Sequence, residues 1–303
     1  MVLGVNMEKL NDLIFLLKKD IPLKELKQQL NMDNQELLEY MKMLKKIGYY
    51  YEYHIFDDGT VNLSSNIDKN GTGFNIYPKD DVMSVLTISD IHCGSDKERP
   101  DLLKEVYKYA IENDIHLIFN LGDLIEGENC KYTTQQQLKR LYQIYPYDSH
   151  IQNVILLGNH DYHSLYYDHY DISENLFWNR VDFIITGYGL SLVSLNNVIM
   201  GLHHDLSIVK NPPQPNIMIP VHLYGHSHYY KANSTINSLT LRVPTLSDCI
   251  FPNNKTIPSF LKIDFYFKNN QMKKINVKNK AFTDELITIG EIEYSVPVLK
   301  KKK

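Results

Sequence analysis

The chain has 303 residues, 43% hydrophobic and 22% charged, with a formal net charge of −4. That is the make-up of a soluble globular protein with enough length for one moderate domain and a small one. The balance excludes a global positive field for nucleic acid, so any such binding has to be local. Three cysteines, Cys93, Cys130 and Cys249, are widely spaced and without a CxxC, which argues against a disulfide framework or a cysteine zinc site and fits a reducing cytoplasm. Glu8 and Asp12 interrupt the apolar N-terminal residues, and no run reaches membrane-spanning length, so no membrane partner is expected.

The first segment is helical by period. Leu10, Ile14 and Leu17 make one stripe, Pro22 opens a second helix with Leu23, Leu26 and Leu30, and a third follows "NMDN" with Leu37, Leu38, Met41, Leu44 and Ile47 inward. Tyr49 to Leu63 reads as an aromatic hairpin about "DDGT". Three helices and a hairpin predict a small winged helix-turn-helix-like domain over 1–66. Its eight lysines against ten acidic residues give a net of −2, weak credentials for gripping phosphates, so DNA contact through the third helix stands beside a docking role.

Residues 67–81 sit in a stretch rich in Ser, Asn, Asp and Gly that reads as a linker. From Val82 strand and helix signals alternate: Val82 to Ser89, Leu102 to Ile111, Leu117 to Leu121, Gln135 to Tyr142 and Val154 to Leu157. That is an α/β pattern, and "SLTLRV" and "FLKIDFYF" then add a largely β layer. A basic tail, 296–303, closes the chain.

The apolar runs end in groups able to hold a metal. "TISDIHCG" supplies Asp90 and His92, "FNLGDLIEG" supplies Asp123, and "LLGNHDYH" supplies Asn159, His160 and Asp161. "IMGLHHD" adds His203 and His204, and "LYGHSHYY" adds His226 and His228. In an extended segment, residues two apart point the same way, so Asp90 with His92, and His226 with His228, can each grip one ion. Carboxylate, amide and imidazole donors without thiolate suit Mn, Fe, Zn or Ni rather than a closed structural zinc site. Each piece alone is commonly an ordinary turn or hydrogen-bonded pair; the series of five is not.

The order D-x-H, G-D, G-N-H-D, H, G-H-x-H resembles the calcineurin-like metallophosphoesterase superfamily, over Val82 to Phe267. The resemblance implies a four-layer α/β/β/α sandwich of two mixed sheets over 82–295 and two divalent metal ions, Mn foremost. It implies Asp90, His92 and His228 at the first ion, Asp123 bridging, and Asn159, His226 and a histidine of "GLHHD" at the second. His203 is favoured there, with His204 replacing the family's glycine. His160 matches a catalytic histidine outside the ligand set, and Asp161 a partner that orients it. The implied activity is phosphate-ester hydrolysis by a water activated between the ions, with a phosphodiesterase or nuclease foremost. A phosphomonoesterase on protein or small molecules, and a DNA-binding regulator with an idle phosphoesterase scaffold, remain as alternatives. The Tyr-rich "YHSLYYDHYDISENLFW" can stack bases or simply pack, and "NPPQPN" can shape the entrance.

Overall fold

The computed structural model describes residues 6–65, 72–209, 219–249 and 257–296. "NPPQPN", the lysines that end the chain and part of the expected linker lie outside these residues.

Three helices open the fold, α1 (Met7–Leu17), α2 (Leu23–Leu30) and α3 (Asn34–Lys46), with the two-residue β1 (Ile21–Pro22) between the first two. Asn6 and Asp33 accept backbone N–H bonds at the starts of α1 and α3. Leu10, Leu13, Leu17, Leu26, Leu37, Tyr40 and Leu44 bury against one another as the stripes require. Ile47, expected inward, is 51% exposed because α3 ends before it.

The hairpin β2 (Glu52–Phe56) and β3 (Val61–Ser64) forms as expected, yet it is no free wing. β4 (Phe74–Tyr77), inside the stretch read as a linker, pairs in parallel with β2, Tyr53 opposite Phe74. β4 then pairs with a strand of the central domain. The strands expected in a winged-helix domain over 1–66 thus share one sheet with strands of the central domain, and nothing sets them apart among the described residues. The helices are also tied down: Lys42 of α3 is 2.6 Å from Glu174, and the Asn34 side chain donates to the Trp178 carbonyl at 3.3 Å.

The remaining elements are β5 (Val82–Ile88), α4 (Pro100–Glu112), β6 (Leu117–Asn120), α5 (Thr134–Ile144), β7 (Gln152–Leu157), α6 (Asn159–Tyr167) and α7 (Ile172–Asn179). They continue as β8 (Phe183–Tyr188), β9 (Leu190–Leu195), β10 (Val198–His203), β11 (Val221–Tyr224), β12 (Lys231–Ser234) and β13 (Leu239–Arg242). Three long strands end the order, β14 (Ser259–Lys268), β15 (Gln271–Phe282) and β16 (Leu286–Ser295). One mixed sheet runs β1-β3-β2-β4-β9-β10-β11-β13-β12 and the other β16-β15-β14-β5-β6-β7-β8.

The two sheets pack face to face as an α/β/β/α sandwich. Alternation along β5 shows why: Met83 and Val85 join the core between the sheets, whereas Leu86 and Ile88 join the cluster under α4 and α5. Since β5, β6 and β7 are parallel, and β10 is parallel to β11, their C-terminal ends gather at one rim of the sandwich.

Candidate metal centre

The strands stop short of the residues that matter. β5 ends at Ile88 and β11 at Tyr224, so Asp90, His92, His226 and His228 all lie beyond regular strand. They converge through left-handed backbone, not strand alternation: φ is 57° at Asp90, 49° at His92, 54° at Asp123, 63° at His226 and 59° at His228. Each non-glycine residue held there costs on the order of 1–2 kcal/mol, a concentration of strain typical of functional sites.

Four overlapping groups of donors result among the described residues: His92 with Asp123 and His160, His92 with Glu126 and Cys249, and two that share no residue. Asp90, His92 and His228 form one, with the His228 Nε2 3.2 Å from Asp90 Oδ1 and 3.3 Å from His92 Nε2. Asp123, His204 and His226 form the other, with His204 Nε2 3.0 Å from Asp123 Oδ2. Asp123 Oδ2 also lies 3.9 Å from His92 Nε2, so this carboxylate faces both groups. Donors about 3–4 Å apart are what ligands at about 2.0–2.2 Å from a common ion require. Asn159 opens α6 directly after Gly158, with its Oδ1 buried.

His204, not His203, occupies the centre, which corrects the register favoured from the sequence. Along β10 Met200 and Leu202 face the inter-sheet core, and His204 follows on their side. His203 falls on the opposite face, its Nε2 3.0 Å from His222 Nδ1 and its ring stacked on Tyr224 with centroids 4.2 Å apart. Gly122 and Gly158 make room for His204. A Cβ on Gly122 would stand 2.8 Å from His204 Nδ1, and one on Gly158 would stand 2.8 Å from its Nε2.

His160 and Asp161 do different work. The His160 amide donates to Asp123 Oδ1 at 2.9 Å, and its ring stands edge-on to His92, centroids 4.8 Å apart. Its Nδ1 is 2.6 Å from the Glu126 carbonyl, which fixes the proton on Nδ1 and leaves Nε2 for other partners. The fully buried Asp161 carboxylate does not orient that ring. It accepts the backbone N–H groups of Leu124, Ile125 and Gly158, stapling the loop after β6 to the end of β7.

Glu126 was not singled out from the sequence. Besides its carbonyl, its carboxylate Oε2 lies 2.9 Å from His92 Nδ1, so one residue touches both histidines. The "GDLIEG" motif carried the residue, but the reversal that returns it to the cluster is not visible there.

The charges explain the tight packing. Burial would raise the Asp123 pKa, but neighbouring His204 and His92 outweigh it and hold the carboxyl well below the usual range. Burial would lower the pKa of His204, but Asp123 and Asp90 prevail and raise it to about 10. Burial, reinforced by Asp123, pushes Asp161 up to about 6.

The donor set fits divalent ions. Asn159 Oδ1 is buried with no hydrogen-bond partner among the described residues, an expensive state unless an ion engages it, and Asp90 Oδ1 and His204 Nε2 meet only other donors of the cluster, at 3.2 and 3.0 Å. A two-sheet sandwich with two donor groups joined by one carboxylate defines the class of metal-dependent phosphoesterases. The family model described as calcineurin-like phosphoesterase matches residues 83–244, and the chain belongs to that family. Among solved structures the chain is similar to Yfce, a phosphoesterase from E. coli, at 19% identity and a TM-score of 0.44, covering 69% of this chain and 98% of that one. It is also similar to Vps29 of Chaetomium thermophilum (14%, TM-score 0.44, 71% and 99% covered) and to a novel archaeal phosphodiesterase (12%, 0.40, 68% and 100%). No curated protein matches.

The two histidines of β10 can be told apart by experiment. His204→Ala should remove metal and cut turnover by roughly two orders of magnitude or more, as loss of a donor to transition-state charge does. His203→Ala should keep both ions. Metal counting on the two purified variants decides; the reverse outcome would return the ligand role to His203.

Proposed function

We propose that the chain is a dinuclear metal-dependent phosphodiesterase, with Mn foremost and Fe, Zn or Ni as alternatives, working in a reducing cytoplasm. Asp90, His92 and His228 would hold one ion, Asn159, His204 and His226 the other, and Asp123 both. When bound, the ions supply Lewis-acid stabilisation of phosphoryl oxygens and a nucleophilic water at neutral pH. The observation that carries the reading is Asp123 facing both donor groups while its other oxygen accepts the His160 amide. His160, with its Nδ1–H held by the Glu126 carbonyl, presents Nε2 to the departing oxygen and in its imidazolium form protonates it from that atom.

Charge supports a diester over a monoester. No lysine or arginine among the described residues is ion-paired to Asp90, Asp123 or Glu126. Among the described residues the ion pairs of these carboxylates are all with imidazoles, which supports a singly charged diester over a doubly charged monoester. A panel of diester, monoester and single- or double-stranded DNA with added Mn²⁺ tests this. Diester turnover far above monoester turnover is expected, and the opposite ranking would overturn the diester assignment.

We read α1–α3 as a structural brace, not a DNA grip. Lys42 is held by Glu174 and Glu39, and Lys45 lies over the Tyr51 ring at 5.5 Å. No helix among the described residues is long and apolar enough to cross a membrane. Changing Lys42, Lys45 and Lys46 together to Glu should lower the thermal midpoint by a few degrees, since the pairs contribute about 1 kcal/mol or less each. DNA retention at low salt should not move; a loss of retention with a flattened salt dependence would restore the DNA-binding role.

A further inference from the structure

We propose that the exposed side of α6 is a stacking track for the leaving group of the substrate, and that this group carries a nucleobase. The inference rests on the phosphodiesterase reading and deepens it.

A chain of rings runs outward from the centre. His160 and His163 have centroids 5.6 Å apart, His163 and Tyr167 5.7 Å, and Tyr167 and Tyr166 4.9 Å. The last two are 56% and 63% exposed, a large investment of aromatic surface in water beside a reaction centre. Packing does not explain them, because α6 buries only Asp161 and Ser164. His163 is held beside Glu128, its Nδ1 3.8 Å from Oε1, which fixes the ring that links His160 to Tyr167.

The occupant follows from continuity with His160. Its Nδ1 is engaged by Glu126, so Nε2 is the atom left for the departing oxygen, and whatever that oxygen carries meets His163 and then Tyr167. A planar base can lie on an exposed aromatic side chain, and such stacking is sequence-tolerant. In the step itself, the oxygen of water bonds to phosphorus and the bond from phosphorus to the nucleoside oxygen breaks. That oxygen keeps the electron pair and takes the Nε2 proton of His160 in its imidazolium form, leaving the neutral ring with its proton on Nδ1; the proton lost by water passes to solvent, which recharges Nε2 for the next turnover. The products are a phosphomonoester and a free nucleoside hydroxyl.

Two diesters that share the same retained nucleotide test the idea on the full-length, Mn²⁺-loaded protein. One is a dinucleoside monophosphate, leaving a nucleoside; the other is the nucleotide methyl ester, leaving methanol. The wild type should favour the dinucleoside through a lower KM. Tyr167→Ala should raise its KM about tenfold relative to the methyl ester, as loss of one stacking partner does, and Tyr167→Phe should restore the preference. A KM ratio that does not change in Tyr167→Ala, or a ratio that Tyr167→Phe fails to restore, would overturn the track while leaving the diesterase intact. If the wild type cleaves neither diester nor bis(p-nitrophenyl) phosphate but does cleave a monoester, the diesterase reading fails and the track with it.

Discussion

Asp123→Asn should abolish turnover, by about a thousandfold or more, and weaken binding of both ions, not one. The substitution is nearly isosteric in a site where a Cβ on Gly158 would already collide with the Asp123 side chain, so the fold should persist. An amide oxygen can keep the His160 N–H bond at Oδ1. What is lost is the negative charge at Oδ2, the atom facing His204 at 3.0 Å and His92 at 3.9 Å. A terminal ligand would serve one ion, whereas in the proposed assignment this oxygen serves both, so the effect should exceed that of His226→Ala. Losing a preorganised group that stabilises transition-state charge already costs about 10²–10³-fold. Metal counting and steady-state rates on the variant check it; two tightly held ions with normal activity would remove the bridging role.

His160→Ala should keep both ions and lose activity in a way that depends on the leaving group. The ring meets the cluster by an edge-on contact with His92, and its proton is fixed on Nδ1 by the Glu126 carbonyl. General-acid assistance is worth about 10²–10⁴-fold where the departing oxygen is a basic alkoxide. An acidic nitrophenolate needs little help, so its rate should fall about tenfold or less. The loss should appear in kcat, since the interaction is made chiefly in the transition state. Rates on an alkyl diester and an aryl ester, with metal content measured on the same preparation, separate this from a ligand role. Equal damage to both substrates together with metal loss would make His160 a ligand.

The parts legible in the sequence were those written in local pattern. β5, α4, β6, α5 and β7 fall where the apolar periods put them, and the side chains of Asp90, His92, Asp123, His226 and His228 are brought together. The His203–His204 register was readable too, but from the strand and not from the motif. Val198, Met200 and Leu202 share one face of β10, whereas the other carries Ile199, Gly201 and His203, so alternation sends His204 inward.

The N-terminal joint was hidden for a different reason. "FNIY" is a four-residue strand inside a polar, glycine-bearing stretch, too short for its Phe74, Ile76 and Tyr77 to make a pattern. What makes it a strand is parallel pairing with β2 on one side and β9 on the other, and Ile76 faces Leu195 across more than a hundred residues of chain. No local propensity encodes such a partner. Glu126 was missed because half of its part is played by a backbone carbonyl, which no residue type reveals.

The central claim is that one carboxylate, Asp123, joins two ions. Electron paramagnetic resonance of the full-length protein titrated with Mn²⁺ tests it most directly. The account predicts two ions per chain with the signature of an exchange-coupled pair, replaced in Asp123→Asn by uncoupled ions or none. A single isolated Mn²⁺ signal at saturation in the wild-type protein would contradict it.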